Sequence, residues 1–395
     1  MVATRIELRD FRNYELAELD IAPGLTVVAG PNGAGKTNLV EALYFGCTAR
    51  SPRTSNEREL VRRGASITRV VLDTASEDEV HRIEVGFEPG EAKHLRVDGS
   101  AVDNLSGSEA RPLASVFLPE RLELVKGAPA GRRAHLDQVV AALWPARAET
   151  RASYSRALAQ RNALIARIRA GAAGPAALDA WDAELARQGM RLMEDRAEAV
   201  AGLRPPFAEL ATRLGLPGTA ELRYRPRSGA EDADGLAAEL AERRTADLER
   251  GFTAHGPHRD ELQLLLEGAP LRAYGSQGQQ RAALLALLFA ERGLLAARRG
   301  RAPLMLLDDV MSELDAARRD LLAAERDRRP LMLLDDVMSE LDAARRGLLA
   351  DLLREGGQGV ITATELDHVP GHDEPGTVVL HVEAGSVAAH EVGAT

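Results

Sequence analysis

The stretch Leu25–Thr37, LTVVAGPNGAGKT, constrains this chain more than any other. Leu25–Ala29 is a short apolar run that reads as a buried strand, and Lys36–Phe45 reads as a helix. Between them, Gly30–Thr37 matches G-x-x-x-x-G-K-[ST] in the strand–loop–helix context that motif requires. Glycines at 30, 33 and 35 let the backbone curl so that its N–H groups converge on phosphate oxygens, and the helix start adds partial positive charge. Lys36 is placed to neutralise the β- and γ-phosphates, and the Thr37 hydroxyl to hold Mg²⁺. The expected phosphate-binding set is therefore Gly30, Pro31, Asn32, Gly33, Ala34, Gly35, Lys36 and Thr37, with ATP and Mg²⁺ as cofactors.

Such a loop needs a second half, a buried strand that ends in a carboxylate. The chain carries it twice: PLMLLDDVMSELDAARR runs from Pro303 to Arg319 and again, without a mismatch, from Pro330 to Arg346. In each copy the first Asp, Asp308 or Asp335, suits the Mg²⁺ shell. The second, Asp309 or Asp336, suits the orientation or deprotonation of an attacking water. Only one pair can face one loop, so a tandem duplication explains the repeat better than a solenoid, which needs several units. The second copy stays joined to the closing strands at Gly359–Thr362 and Thr377–Val382. Either copy could enter the sheet; the second is slightly favoured on that ground, with 301–329 as a detour.

A third motif, YGSQGQQR (Tyr274–Arg281), opens the Ala- and Leu-rich helix Gln279–Arg298. Ser276 is well placed as its N-cap. A Ser-Gly helix start also suits an anion, and the two readings stand level on this motif alone. Residues 67–102 alternate with turn signals at Glu88-Pro89-Gly90 and Asp98-Gly99, as antiparallel strands do. Arg147–Ala170 and Ala176–Leu203 read as long helices joined by the breaker cluster Gly171–Pro175. The order is sheet, helical insertion, sheet. The expected fold is a split α/β P-loop head with an inserted α-helical arm lobe: head 1–130, arm 131–251, head 252–395.

These motifs together resemble the RecF family, ABC/SMC-type ATPases of bacterial DNA repair. The resemblance rests on LRDFRNY (Leu8–Tyr14), GKTNLVEALYF (Gly35–Phe45), RSPRT (Arg50–Thr54) and FLPERLELVKGAPAGRRAHLD (Phe117–Asp137). It extends through GPHRDEL (Gly256–Leu262), YGSQGQQR and LLDDVMSELD. Pro52 stands where many members have His, and His135 where an aromatic is common. The resemblance implies a nucleotide-gated clamp, a homodimer closed on ATP, in which Ser276, Gly278 and Gln279 of one head meet the nucleotide held by the other. It also implies that Arg12 and Asn13 lie near the nucleotide and that Ser312–Asp315, or its repeat Ser339–Asp342, matches the loop that crosses the dimer interface. The implied work is replication restart and recombinational repair at DNA gaps or single-/double-strand junctions, with RecR- and RecO-type partners helping to load the recombinase. The alternative is an ATP- and DNA-binding scaffold whose hydrolysis the duplication has impaired.

A single cysteine, Cys47, permits no intrachain disulfide. The N-terminus lacks a signal-peptide pattern, and no apolar stretch spans a bilayer, so a cytoplasmic protein without a membrane partner is expected. The net charge of −10 leaves room for local basic patches. Arg50, Arg53, Arg58, Arg62 and Arg63, with Lys126, Arg132 and Arg133, are the expected contacts to the DNA backbone. Base readout is not expected, because no recognition helix or set of stacking aromatics is visible.

Overall fold

A computed structural model describes the chain except residues 55, 77–78, 106–107, 118, 301, 309–346, 349, 355–356 and 392–395. The described chain divides into two compact units. The first comprises Met1–Leu122, Arg213–Gly215 and Leu295–Thr395, and the second Glu123–Thr212 with Leu216–Leu294.

The first unit opens with β1 (Val2–Phe11), β2 (Tyr14–Asp20), β3 (Leu25–Ala29) and α1 (Lys36–Thr48). Four strands follow, β4 (Thr68–Ala75), β5 (Val80–Phe87), β6 (His94–Val97) and β7 (Ser100–Ala101), and then β8 (Ala114–Phe117). The second unit runs α2 (Glu123–Lys126), α3 (Pro129–Leu143), α4 (Thr150–Arg169), α5 (Leu178–Arg213) and β9 (Ala220–Arg225). It continues through α6 (Ala233–Glu242), α7 (Arg244–Arg250), β10 (Glu261–Leu266), β11 (Ala269–Pro270), α8 (Leu271–Tyr274) and α9 (Gln277–Arg299). The first unit is completed by β12 (Leu304–Leu307), β13 (Gly359–Ala363), β14 (Val378–Glu383) and β15 (Ser386–Glu391).

Two six-stranded sheets build the first unit, in the orders β2-β1-β4-β5-β6-β7 and β15-β14-β3-β13-β12-β8. The first is antiparallel throughout, as the alternation over 67–102 requires. In the second, β14, β3, β13, β12 and β8 run parallel. Strands covered on both faces lose alternation, which is why Leu25–Ala29, Leu304–Leu307 and Gly359–Ala363 are buried at every residue. One hydrophobic cluster joins Ile6, Leu8, Val70 and Leu72 of the antiparallel sheet to Val28, Leu306 and Val360 of the parallel one, through Leu39, Leu43 and Phe45 of α1. Helix α1 is thus apolar nearly all round, with Cys47 sealed inside and its thiol pushed up to about 12 by burial. Gly46 lets it approach the sheet, since a Cβ there would stand 3.2 Å from Val70 Cγ1.

The strand between β13 and β8 comes from the first copy of the repeat, not the second, which corrects the sequence expectation. Leu304–Leu307 pairs with both neighbours, and Asp308 N–H donates to Phe117 O at 3.0 Å. Upstream, α9 ends at Arg299, so the first copy reaches the slot through a short connection. Using the second copy would lengthen the connection before the strand, whereas using the first lengthens the one between Leu307 and Gly359; closure cost grows slowly with length, so either connection is accessible and the pairing of Leu304–Leu307 decides. Asp309, Ser312–Asp315, Asp335, Asp336 and Ser339–Asp342 lie outside the described residues.

In the second unit α4 and α5 are the two expected long helices. This unit also takes in β9–β11 and most of α9, so it reaches past the 131–251 segment expected as the arm. Leu185, Leu192 and Met193 of α5 pack with Tyr154 and Ala157 of α4 and with Leu236 and Leu240 of α6. Beneath them a buried polar group ties three helices together. Arg161 (α4) donates to Asp182 (α5) at 2.6 Å and to Asp247 (α7) at 2.7 Å. Among the described residues no helix is long and apolar enough to cross a membrane.

Candidate nucleotide site

The phosphate loop sits at the carboxyl end of β3, where α/β sheets place their ligand clefts. Gly30, Gly33 and Gly35 have φ of 155°, 82° and 123°, of which the latter two lie well inside the range that favours glycine. Two of them are also tight. A Cβ on Gly30 would strike the Val382 carbonyl, and one on Gly35 would come within 2.6 Å of Asn13 Nδ2. Helix α1 begins at Lys36 with no side-chain cap and no acidic residue in its first turn, so its dipole faces the loop uncompensated. Lys36 Nζ donates to Gly30 O at 2.7 Å and Pro31 O at 3.0 Å, which folds the ammonium over the loop.

Asn13 braces the loop from the β1–β2 turn. Its Nδ2 donates to Ala34 O at 3.0 Å, its Oδ1 accepts from Asn38 Nδ2 at 2.8 Å, and Tyr14 OH donates to Gly35 O at 2.9 Å. The turn runs through Arg12 at φ 54°, a costly conformation for a non-glycine residue. What holds it there is Glu41, which is fully buried on α1. Arg12 Nε and Nη2 each donate to Glu41 at 2.8 Å. Ser51 Oγ donates to the same carboxylate at 2.5 Å and Arg53 Nη1 at 3.2 Å, while Arg53 Nη1 also reaches Asn38 Oδ1 at 3.0 Å.

Asp308, at the end of β12, closes the site. One strand, β13, separates it from β3, and Thr362 on β13 fills the gap by donating to Asp308 Oδ1 at 2.8 Å. Thr37 Oγ1 donates to Asp308 Oδ2 at 2.7 Å. The carboxylate is only 3% exposed. Burial raises its pKa, against the pull of the Thr37 and Thr362 hydroxyls and the charges of Arg53 and Lys36. A buried carboxylate beside a hydroxyl offers two hard oxygens. That set fits Mg²⁺, which keeps several waters and takes few protein ligands when phosphates supply the rest. The loop, the open helix end and Lys36 likewise fit a triphosphate.

The signature helix is capped reciprocally: Gln279 N–H donates to Ser276 Oγ at 3.2 Å, and Ser276 N–H to Gln279 Oε1 at 2.8 Å. Gln280 Nε2 donates to Leu271 O and Gly275 O, which fastens α8 to the same helix start. Ser276 and Gln277 are exposed, and Gly278 has open space where a side chain would stand.

The comparisons decide the family. Residues 2–325 match the RecF/RecN/SMC N terminal domain. The chain is 41% identical to the DNA replication and repair protein RecF of Anaeromyxobacter sp. (strain Fw109-5) over 79% of this chain and 86% of that protein. It is 36% identical to the protein of the same name from Streptomyces avermitilis over 94% and 95%. The chain belongs to the RecF family. A solved structure of the recombination mediator protein RecF-ATP in the RecFOR pathway is similar at a TM-score of 0.78, with 27% identity, covering 98% of this chain and 97% of that one. An Smc head bound to the C-winged helix domain of ScpA, at 15% identity and a TM-score of 0.57, shares the fold.

Within this chain the structure brings Arg12, Asn13, the loop 30–37 and Asp308 together. It also supplies residues that the sequence alone does not assign to the nucleotide site: Tyr14, Asn38, Glu41, Ser51, Arg53 and Thr362. Glu41 left a signal, being the lone acid in the apolar Leu39–Phe45 run, one turn after Thr37. The expected basic patch is thinned. Arg53 is engaged with Glu41, Arg62 donates to Asp10 at 2.7 Å, and Arg132 is buried against Glu261 at 2.5 Å. Lys126 pairs with Glu123 at 3.3 Å and Arg133 donates to the Asp260 carbonyl at 2.9 Å. Arg50, Arg58 and Arg63 are exposed and form no ion pair among the described residues.

Proposed function

We propose that this chain is an ATP-gated DNA-binding clamp of recombinational repair and replication restart, a homodimer that closes on two nucleotides at DNA gaps or single-/double-strand junctions. The observation that carries this reading is the Thr37–Asp308 hydrogen bond. It joins the phosphate loop to the carboxylate that would hold Mg²⁺. With Thr37 and Asp308 as its protein ligands, a bound Mg²⁺ would supply charge neutralisation to the triphosphate. Lys36 would exchange the Gly30 and Pro31 carbonyls for phosphate oxygens, and the N–H groups at the start of α1 would receive the remainder. Asp309 follows Asp308 in sequence and is the candidate to orient the attacking water.

Ser276, Gly278 and Gln279 would close the site of a second copy. The exposure of Ser276 and Gln277 supports that role, as do the family's association with the RecFOR pathway and RecF-ATP structures. RecR- and RecO-type mediators are the expected partners. The hydrolysis assigned is that of a slow switch. The test is complementation: Lys36→Ala and Ser276→Ala proteins, each inactive alone, should regain ATP turnover when mixed, because one site in the mixed dimer keeps both halves. No recovery at any ratio would overturn the shared-site reading. Sedimentation without nucleotide, with ADP and with a slowly hydrolysed ATP analogue should show a dimer only with the last.

A further inference from the structure

Among the described residues the exposed large hydrophobics are Leu16, Ile67, Val80, Phe252 and Tyr274. Phe252 differs from the rest in carrying a cation: the Arg259 guanidinium lies 5.7 Å from its ring centroid. Both side chains are exposed, and both belong to the connection between α7 and β10, which contains the GPHRD motif. We propose that the Phe252–Arg259 pair is a stacking platform for an unpaired DNA base, with neighbouring arginines taking the flanking phosphates.

Rigidity comes first. Gly251, at φ 85°, ends α7 and turns the chain outward so that Phe252 is presented at the surface. The segment behind it is pinned at nearly every residue. Thr253 N–H donates to Asn162 Oδ1 at 2.8 Å and Ala254 N–H to Asp247 Oδ1 at 3.0 Å. His258 is clasped between Tyr154 OH at 2.7 Å and Thr253 O at 3.0 Å. Arg196 holds Pro257 O at 2.8 Å, and Asp260 accepts from Arg227 N–H at 2.7 Å and from Tyr224 OH. A loop so held loses little entropy when it binds, so an exposed aromatic on it is pre-organised.

Charge comes second. Arg169 lies against Gly251, Arg250 immediately precedes it, and the positive charges of Arg259 and Arg133 both act on His258 in the same loop. Glu249 is the exposed acid on the same turn of α7. Arginines gathered at the cost of mutual repulsion suit a polyanion. An aromatic face under a guanidinium suits any base, without sequence preference. This assignment rests on the DNA-binding reading above and deepens it, because a base is accessible for stacking only where the duplex is interrupted.

The test uses full-length protein with an ATP analogue and three DNAs of one length: duplex, gapped duplex and single strand. Phe252→Ala should weaken gapped and single-stranded binding about 10-fold and leave duplex binding unchanged, while Phe252→Trp retains wild-type preference. Arg259→Ala should reduce the slope of log affinity against log salt by about 1. A photoreactive 5-iodouracil in the gap should cross-link to residues 251–260. An unchanged gap-to-duplex ratio in Phe252→Ala, or an equal loss on all three DNAs, overturns the platform. So does loss of a protein partner with DNA binding intact. Wild-type protein that binds none of the DNAs would instead overturn the DNA-binding reading beneath it.

Discussion

At the scale of single residues, two carboxylates carry the candidate nucleotide site and they do opposite work. Asp308 is buried with two hydroxyls and a raised pKa, so its ionised form costs stability at neutral pH. The sign follows from linkage: between its ordinary and raised values the fold holds a proton that the unfolded chain has lost, so this contribution fades as pH rises. A cation offsets that cost. Asp308→Asn should therefore keep or raise the melting temperature in EDTA and abolish the increase given by Mg²⁺ and ATP. Asp335→Asn should leave that increase intact, because the first copy supplies the strand beside β13. Equal loss from both variants would refute this assignment. Glu41, in contrast, is fully paired by Arg12, Ser51 and Arg53. Glu41→Ala strands two partly buried guanidinium groups and releases the strained Arg12 turn, and should cost about 3 kcal/mol in urea unfolding.

At the scale of elements, α1 and α9 show how differently two helix starts are handled in one chain. The N-terminus of α1 is left without a side-chain cap, at the place where phosphate is expected. That of α9 is closed by the Ser276–Gln279 box. Ser276→Ala should cost about 1 kcal/mol of stability by loss of the cap. Ser276→Asp should restore that stability but not ATP turnover, since it adds a negative charge where a partner's triphosphate is proposed. Recovery of turnover by Ser276→Asp would make Ser276 a cap and nothing more. In the parallel sheet, Leu306 is fully buried on β12, and Leu306→Ala should cost about 3 kcal/mol in the same assay.

At the scale of the whole molecule, charge sets the conditions for binding and for folding. A chain of net charge −10 can bind DNA only through local basic surface, so affinity should fall steeply with salt. A flat response between 50 and 200 mM salt, about 10-fold or less, would count against backbone contact. Stability should in turn fall in mild acid. Burial and the positive charges of Arg259 and Arg133 lower the His258 pKa from 6.5 to about 4, against the hydrogen bond to Thr253 O. Between those values the unfolded chain takes up a proton that the fold refuses, so stability is full above pH about 6.5 and declines toward pH about 4. Urea midpoints at pH 7 and 5 should differ less in His258→Asn than in wild type.

The sequence by itself determined the parts whose physics is local. Periodicity marked the antiparallel strands of 67–102 and the long helices α4 and α5. Glycine spacing marked the phosphate loop, and Ser276 marked a cap, because each depends on neighbours a few residues away. Tertiary structure decided what identical or similar residues could not. Two copies of one strand are indistinguishable in sequence, and only the pairing of Leu304–Leu307 with β13 and β8 separates them. Arginines read alike along the chain, yet Arg53, Arg62 and Arg132 met carboxylates from other elements while Arg259 lies over an exposed ring. Pairing and exposure are set by what lies across space, and no local pattern encodes that.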